Sequence, residues 1–180
     1  PVAVEVLALS EEQRVLLDNV VACLPIVADL SRSDMLLYRP LAGDRAVVIA
    51  HAQPHSVSSV HADNLFGQVV ARRDFSLLNR ALAGQRVSGS GSQIHPTEPV
   101  LRQMWPVLDA SKIVIAALCT ETTAVESQRH QKRSPVFREA LQNLHALVLR
   151  GAIAGADSLS PFGEHDGILF VDEQEQIRYV

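Results

Sequence analysis

The sequence predicts an α+β fold, an antiparallel sheet with long helices packed on one face. Three observations lead there. Residues 34–53, DMLLYRPLAGDRAVVIAHAQ, read as two β-strands joined by a short Pro/Gly/Asp turn. Two long stretches carry apolar residues at helical spacing behind recognisable N-caps. Consecutive strand patterns are separated by short turns, which favours antiparallel pairing over crossover connections.

In chain order, Ser10-Glu11-Glu12-Gln13 fits a capping box, and Leu16, Leu17, Val20, Val21, Leu24, Val27 and Ala28 follow on one helical face. A helix over residues 10–29 is expected, with Pro25 kinking it or ending it early. Met35 to Tyr38 form the first strand run, Pro40 and Gly43-Asp44 break it, and Ala46 to Ala50 form a second, β-branched run. Beyond Ala50, His51, Gln53 and His55 alternate with Ala52 and Pro54, so their side chains would share one face of a continuing strand. That face is where a binding surface is expected.

Residues 56–67, SVSSVHADNLFG, read as a loop or a short edge strand. Asp74 is placed to N-cap a helix through Leu82, with Gly84 as its stop. Residues 85–95, with GSGS at their middle, read as a flexible hairpin or loop. Val100 to Leu108 and Ile113 to Cys119 are further strands, and Pro106 marks the first as edge or bulged. Arg129 to Arg133, RHQKR, reads as a solvated loop. Ser134 as N-cap with Pro135 at the first helical position opens a second long amphipathic helix, residues 134–150, through Phe137, Leu141, Leu144 and Val148. Gly151, Gly155 and Pro161 end or loosen that helix. Asp166-Gly167 then opens two short strands around a polar turn, Asp172 to Gln176.

Composition narrows the class of function. The chain has 180 residues, 47% hydrophobic and 20% charged, ordinary globular usage with room for one full domain and part of another. A net charge of −4 gives no electrostatic reason to expect nucleic acid as a partner. Cys23 and Cys119 lie in apolar segments, as buried free thiols of a reducing compartment do. No apolar run approaches the ~20 residues needed to span a bilayer and no signal-peptide pattern opens the chain, so a cytoplasmic protein without membrane contact is expected. Beginning at Pro1 and stopping at Val180 inside a strand-like pattern, the sequence has the look of a fragment of something longer.

Little in the chain resembles catalytic machinery. His51, His55 and His61 are the densest histidine group, but four residues along a strand span ~13 Å, whereas two ligands of one zinc both approach to ~2 Å. No metal site is expected. Cys119 ends an apolar strand with no activating neighbour. Glu11-Glu12 belong to helix capping. Gly89-Ser90-Gly91 lacks the lysine and helix that a phosphate-binding loop requires. His145 is followed by Ala146-Leu147-Val148 and His130 by Gln131-Lys132, without the acid or amide that a phosphoacceptor histidine needs beside it.

The segments PIVADLSRSDMLLYRP, AHAQP and HADNLFGQVV resemble the N-terminal GAF-like sensory domain of soluble bacterial two-component sensor histidine kinases, and DGILFVDEQEQIRYV is similar to the opening strands of a PAS domain. The resemblance implies a GAF-like domain over residues 1–155, and a linker with the start of a PAS domain over residues 156–180. It further implies a parent kinase whose dimerising phosphoacceptor region and ATP- and Mg-dependent core lie beyond Val180, and which passes phosphate to a response regulator. This fragment would be non-catalytic and hold no cofactor of its own; a stand-alone ligand-binding or interaction module is the alternative. GAF-like domains bind small molecules over the sheet. In such a pocket His51, Gln53 and His55 would offer polar contacts, and Arg72 and Arg73 would meet an anionic ligand. Otherwise these five are ordinary edge and surface residues. The two long helices would either pack between protomers of a homodimer or against their own sheet.

Overall fold

A computed structural model of the chain describes residues 8–91, 99–159, 161–162, 169–171 and 174–179. Helix α1 (Glu11–Ser31) begins at the expected capping box, in which Gln13 N donates to Ser10 Oγ at 3.2 Å and Ser10 N to Gln13 Oε1 at 3.0 Å. It runs two residues past the expected end at Asp29 and continues through Pro25, which lies exposed. Arg32 then caps it in the left-handed region at φ 50°.

Strands β1 (Asp34–Leu41) and β2 (Arg45–Ala52) form the expected hairpin. After β3 (Val69–Ala71), a short turn of 3-10 helix (Arg72–Asp74) leads into helix α2 (Ser76–Leu82). Strands β4 (Val87–Gly91), β5 (Val100–Leu108) and β6 (Val114–Thr123) follow, then helices α3 (Ala124–Gln131) and α4 (Pro135–Val148). A separate two-stranded hairpin pairs β7 (Phe170–Val171) with β8 (Ile177–Tyr179). The six-stranded sheet has the order β3-β2-β1-β6-β5-β4, every neighbouring pair antiparallel, so β1 and β6 are central.

Several local expectations change. Asp74 is not the N-cap of α2: Phe75 occupies that position without a side-chain bond, and Asp74 belongs to the preceding turn. Of residues 85–95, expected as a flexible hairpin or loop, Val87–Gly91 form a strand that pairs antiparallel with the next strand in the chain, as a hairpin does, and residues 92–95 lie outside the described residues; β5 is therefore an inner strand over the paired length. The pairing with β4 runs only from Val100 to Met104, however, and the ladder shifts register between Val107 and Leu108. Pro106, lacking an N–H, thus sits beyond the end of β4 and beside a bulge, where no hydrogen bond to β4 is lost. Of Arg129 to Arg133, expected as a solvated loop, the first three close α3 and Lys132 and Arg133 follow it. Ser134 and Pro135 start α4 as expected, Phe137 N donating to Ser134 Oγ at 3.1 Å. Residues 166–168 and 172–173, part of the expected strand pair and turn, lie outside the described residues.

The two sheet faces carry separate cores. On one, α1 lays Leu17, Val20, Cys23, Leu24, Val27 and Ala28 over Met35, Leu37, Leu118 and Val107, joined by Val148 of α4. On the other, α2 and the strands enclose Leu36, Tyr38, Val48, Leu78, Met104 and Cys119. Each fully buried Leu or Val contributes about 1.5–3 kcal/mol, so both layers hold the sheet. No helix among the described residues is long and apolar enough to cross a membrane.

Candidate functional site

On the α2 side, one end of the sheet is polar. Asp34 of β1 stands opposite Glu121 of β6, and Arg102 of β5 stands opposite Glu121 in turn, so three ionisable side chains cross three adjacent strands on one face. Both carboxylates are 1% exposed at the side chain. Two buried carboxylates in register would repel and lose hydration, so both need partners. Arg102 Nε donates to Glu121 Oε1 at 2.6 Å, its guanidinium lying 4.9 Å over the Phe75 ring. His61 Nε2 meets Glu121 Oε2. His51 accepts the Leu65 backbone N–H at Nδ1 (3.0 Å), so its proton sits on Nε2 and is donated to Asp34 Oδ1, also at 3.0 Å.

The remaining partners come from residues 53–68, a loop laid over this end of the sheet. Ser59 Oγ donates to Asp34 Oδ1, and the Val60 N–H reaches Asp34 Oδ2 at 2.7 Å. Gln53 Nε2 bonds Ser59 Oγ and the His61 carbonyl, both at 2.8 Å. A third buried carboxylate, Asp29 in the last turn of α1, takes the His55 N–H at 2.7 Å and stands 3.1 Å from His55 Nδ1; its other oxygen accepts the N–H of Phe162 at 2.9 Å. Asp29 therefore ties the loop to the segment beyond α4.

Burial pushes the Glu121 carboxyl up, but the His61 hydrogen bond and the Arg102 charge outweigh it and hold the group below its ordinary value. Under the same face, burial raises the Cys119 thiol well above its usual range, with the Glu121 charge adding to it, and burial likewise raises the Tyr38 hydroxyl. Neither is suited to nucleophilic attack. Among the described residues no group of three or more His, Cys, Asp and Glu is arranged to hold a metal ion. The rings of His51 and His61 meet edge to face at 5.6 Å, each turned to its own carboxylate. The chemistry this arrangement offers is exchange of hydrogen-bond partners: it holds a loop shut on buried charge.

The sequence-predicted residues divide into two groups. His51, Gln53 and His55 do lie together, but β2 ends at Ala52, so the latter two belong to the loop, and all three spend polar atoms on the chain itself. Arg72 and Arg73 are elsewhere. Ala71 pairs with Arg45 at the start of β2, six residues or about 20 Å along the strand from His51. Arg72 Nη2 bonds Asn79 Oδ1 at 2.7 Å, and the Arg73 side chain is 79% exposed. The two groups do not converge on one pocket. His61 stands out in the sequence only as one of three clustered histidines, and Asp29, Asp34, Ser59, Arg102 and Glu121 are not expected there; the available signal is an acid flanking each apolar strand run, Asp34 before Met35 and Glu121 after Cys119.

A family profile described as histidine kinase PdtaS, GAF domain, matches residues 3–141. Among solved structures, the chain is similar to the sensor region of a sensor histidine kinase, at 21% identity and a TM-score of 0.68 over 96% of this chain and 60% of that one. It is also similar to an IcIR transcriptional regulator from Alicyclobacillus acidocaldarius, at 13% identity and a TM-score of 0.50 over 79% and 67%. The chain thus spans 60% of the length of the sensor structure it resembles. A comparison with curated proteins returns no match.

Proposed function

Because the chain belongs to the family of GAF domains of histidine kinase PdtaS, we propose that it is the sensory, non-catalytic region of a cytoplasmic two-component sensor histidine kinase. It controls autophosphorylation of an ATP- and Mg-dependent core outside this chain, and phosphate then passes to a response regulator. The observation that carries this reading is Asp29. One buried carboxylate holds the loop through His55 and the post-α4 segment through Phe162, so a signal that shifts the loop changes the hold on the segment leading out of the domain. The hairpin β7–β8 is the opening of a PAS domain in this reading. The outer faces of α1 and α4, which pack on the sheet and on each other within one chain, join two protomers.

The test incubates the complete gene product with labelled ATP and magnesium. Acid-labile, base-stable phosphate is expected on it and none on residues 1–180 alone, and Asp29→Asn is expected to change the labelling rate several-fold. A folded, complete product that takes no label overturns the kinase reading. In that case the alternative, a ligand-binding or interaction module without a kinase, takes its place, as the fold's occurrence in a transcriptional regulator allows. Light scattering that gives a monomer mass at high protein concentration removes the dimer for this chain.

A further inference from the structure

Beside the loop, and apart from the five residues the sequence singled out, lies a cleft of about 470 Å³. It is lined by Arg32 at the end of α1, by Ser56, Ser58 and Ser59 of the loop, and by Glu126 and Arg129 of α3. Glu126 is the centre of its charge. Its side chain is 11% exposed and stands between two guanidiniums, Arg129 Nη1 on Oε1 and Arg32 Nε 3.2 Å from Oε2. The second approach is an ion pair without hydrogen-bond geometry, so Glu126 Oε2 and Arg32 Nε are both buried with no hydrogen-bond partner. Buried polar atoms without a hydrogen bond favour a ligand that supplies one. Two arginines against one glutamate leave the cleft one positive charge in excess. Arg32 also holds a left-handed backbone at a helix end, the position where glycine is the usual occupant.

We propose that this cleft binds a small organic anion, a carboxylate or a phosphate ester, whose oxygens take guanidinium donors of Arg32 and Arg129 while its polar body meets the Ser56 and Ser58 hydroxyls. The volume is that of a small-molecule site rather than of a single inorganic ion. The excess charge matches one anionic group, and guanidinium forks suit planar or tetrahedral oxyanions. Ser59 makes the cleft consequential, because the residue that lines it also donates to buried Asp34. An anion drawn to the arginines therefore presses on the same loop that covers the polar end of the sheet. The inference concerns binding by this chain and does not depend on an attached kinase.

Titration of the 180-residue chain with inorganic phosphate and, separately, with succinate, at constant ionic strength and followed by amide NMR, tests it. The expected result is saturable shifts at residues 56–59 and 123–129 with one of the two probes or both. Phosphate alone identifies the ester class, and succinate alone the carboxylates. Arg129→Gln changes an exposed side chain of α3, and it is expected to weaken the response at least about tenfold, as is Arg32→Gln. Shifts that do not saturate, that spread evenly over the basic surface, or that survive Arg129→Gln unchanged overturn the proposal.

Discussion

The two faces of the sheet are held in different ways. On the face covered by α1 and α4, the contacts are apolar and dry: Val20, Val27, Met35, Leu37 and Leu118 are all fully buried. On the opposite face the same strands carry Leu36, Tyr38 and Cys119 at their middle, but at one end they turn to Asp34, Glu121 and Arg102, covered by a loop rather than a helix. Apolar packing is non-directional and adds up over area. Buried ion pairs nearly cancel against desolvation and become decisive only when one partner is removed. The apolar layers on both faces thus supply the stability of the domain, while the loop-covered end supplies an arrangement that a change of charge or hydrogen bonding can release.

The sharpest test of that contrast is Leu24→Ala on the helix face. Leu24 is 1% exposed, and its truncation is expected to cost about 3–4 kcal/mol of global stability by denaturant titration, with no selective effect on the loop. A loss under about 1 kcal/mol would place the main core elsewhere.

Acid distinguishes the faces next. His145 of α4 packs its ring 5.2 Å from Trp105, and burial first, then the Arg86 and His130 charges, lower it from 6.5 to about 4. A histidine depressed in the folded state favours folding fully above its unfolded value, and that contribution is lost as pH falls from 6.5 to about 4, on the order of 3 kcal/mol in all. Glu121, also depressed, contributes above the ordinary 4.5, and its contribution is lost only at more acid pH. The helix side is therefore expected to loosen first on acidification. His145→Leu should flatten the stability slope between pH 6.5 and 4; an unchanged slope would assign that acid sensitivity to other groups.

Glu121→Gln is expected to have the smallest global effect, about 2 kcal/mol, and the most local one. Arg102 and His61 lose their charged partner, so hydrogen exchange should quicken at residues 55–65 while the amides of α1 keep their protection. Equal acceleration in α1 would mean that the two faces open as one unit, and the contrast would fail.

Legibility in the sequence divides along the same line. Helix starts were readable at Ser10 and at Ser134-Pro135, because caps are local chemistry. The β1–β2 hairpin was readable because apolar runs and a turn between them suffice. Strand β4 was hidden, since VSGSG carries residues that ordinarily mark turns. Its glycine answers a tertiary demand: a Cβ on Gly89 would come within 3.0 Å of Leu77 Cδ1, so the strand is bare where α2 crosses it. Of the candidate site, His51, Gln53 and His55 are legible as polar residues close together in the chain, although β2 ends at Ala52 and the alternation does not continue as a strand. Arg72 and Arg73 join them only as partners for an anionic ligand in the pocket the resemblance implies, and charge says nothing about which end of a strand a residue occupies. Asp34, Glu121 and Arg102 are brought together by register across three strands and are separated by up to 87 positions in the chain, from Asp34 to Glu121.

The covering loop also bears on which insertions and deletions the family can accept. It hangs on three fixed hooks: Asp29 holds His55, Asp34 holds Ser59 and the backbone of residue 60, and Glu121 holds His61. Between the first and second hooks the three residues 56–58 make up a slack span, in which an added residue bulges outward at little cost. Between the second and third there is no slack, so a residue gained or lost there would unhook one carboxylate or the other. Length variation among relatives should accordingly gather at 56–58 and spare 59–61, and at position 60 any side chain that fits will serve, because the hook grips only its N–H.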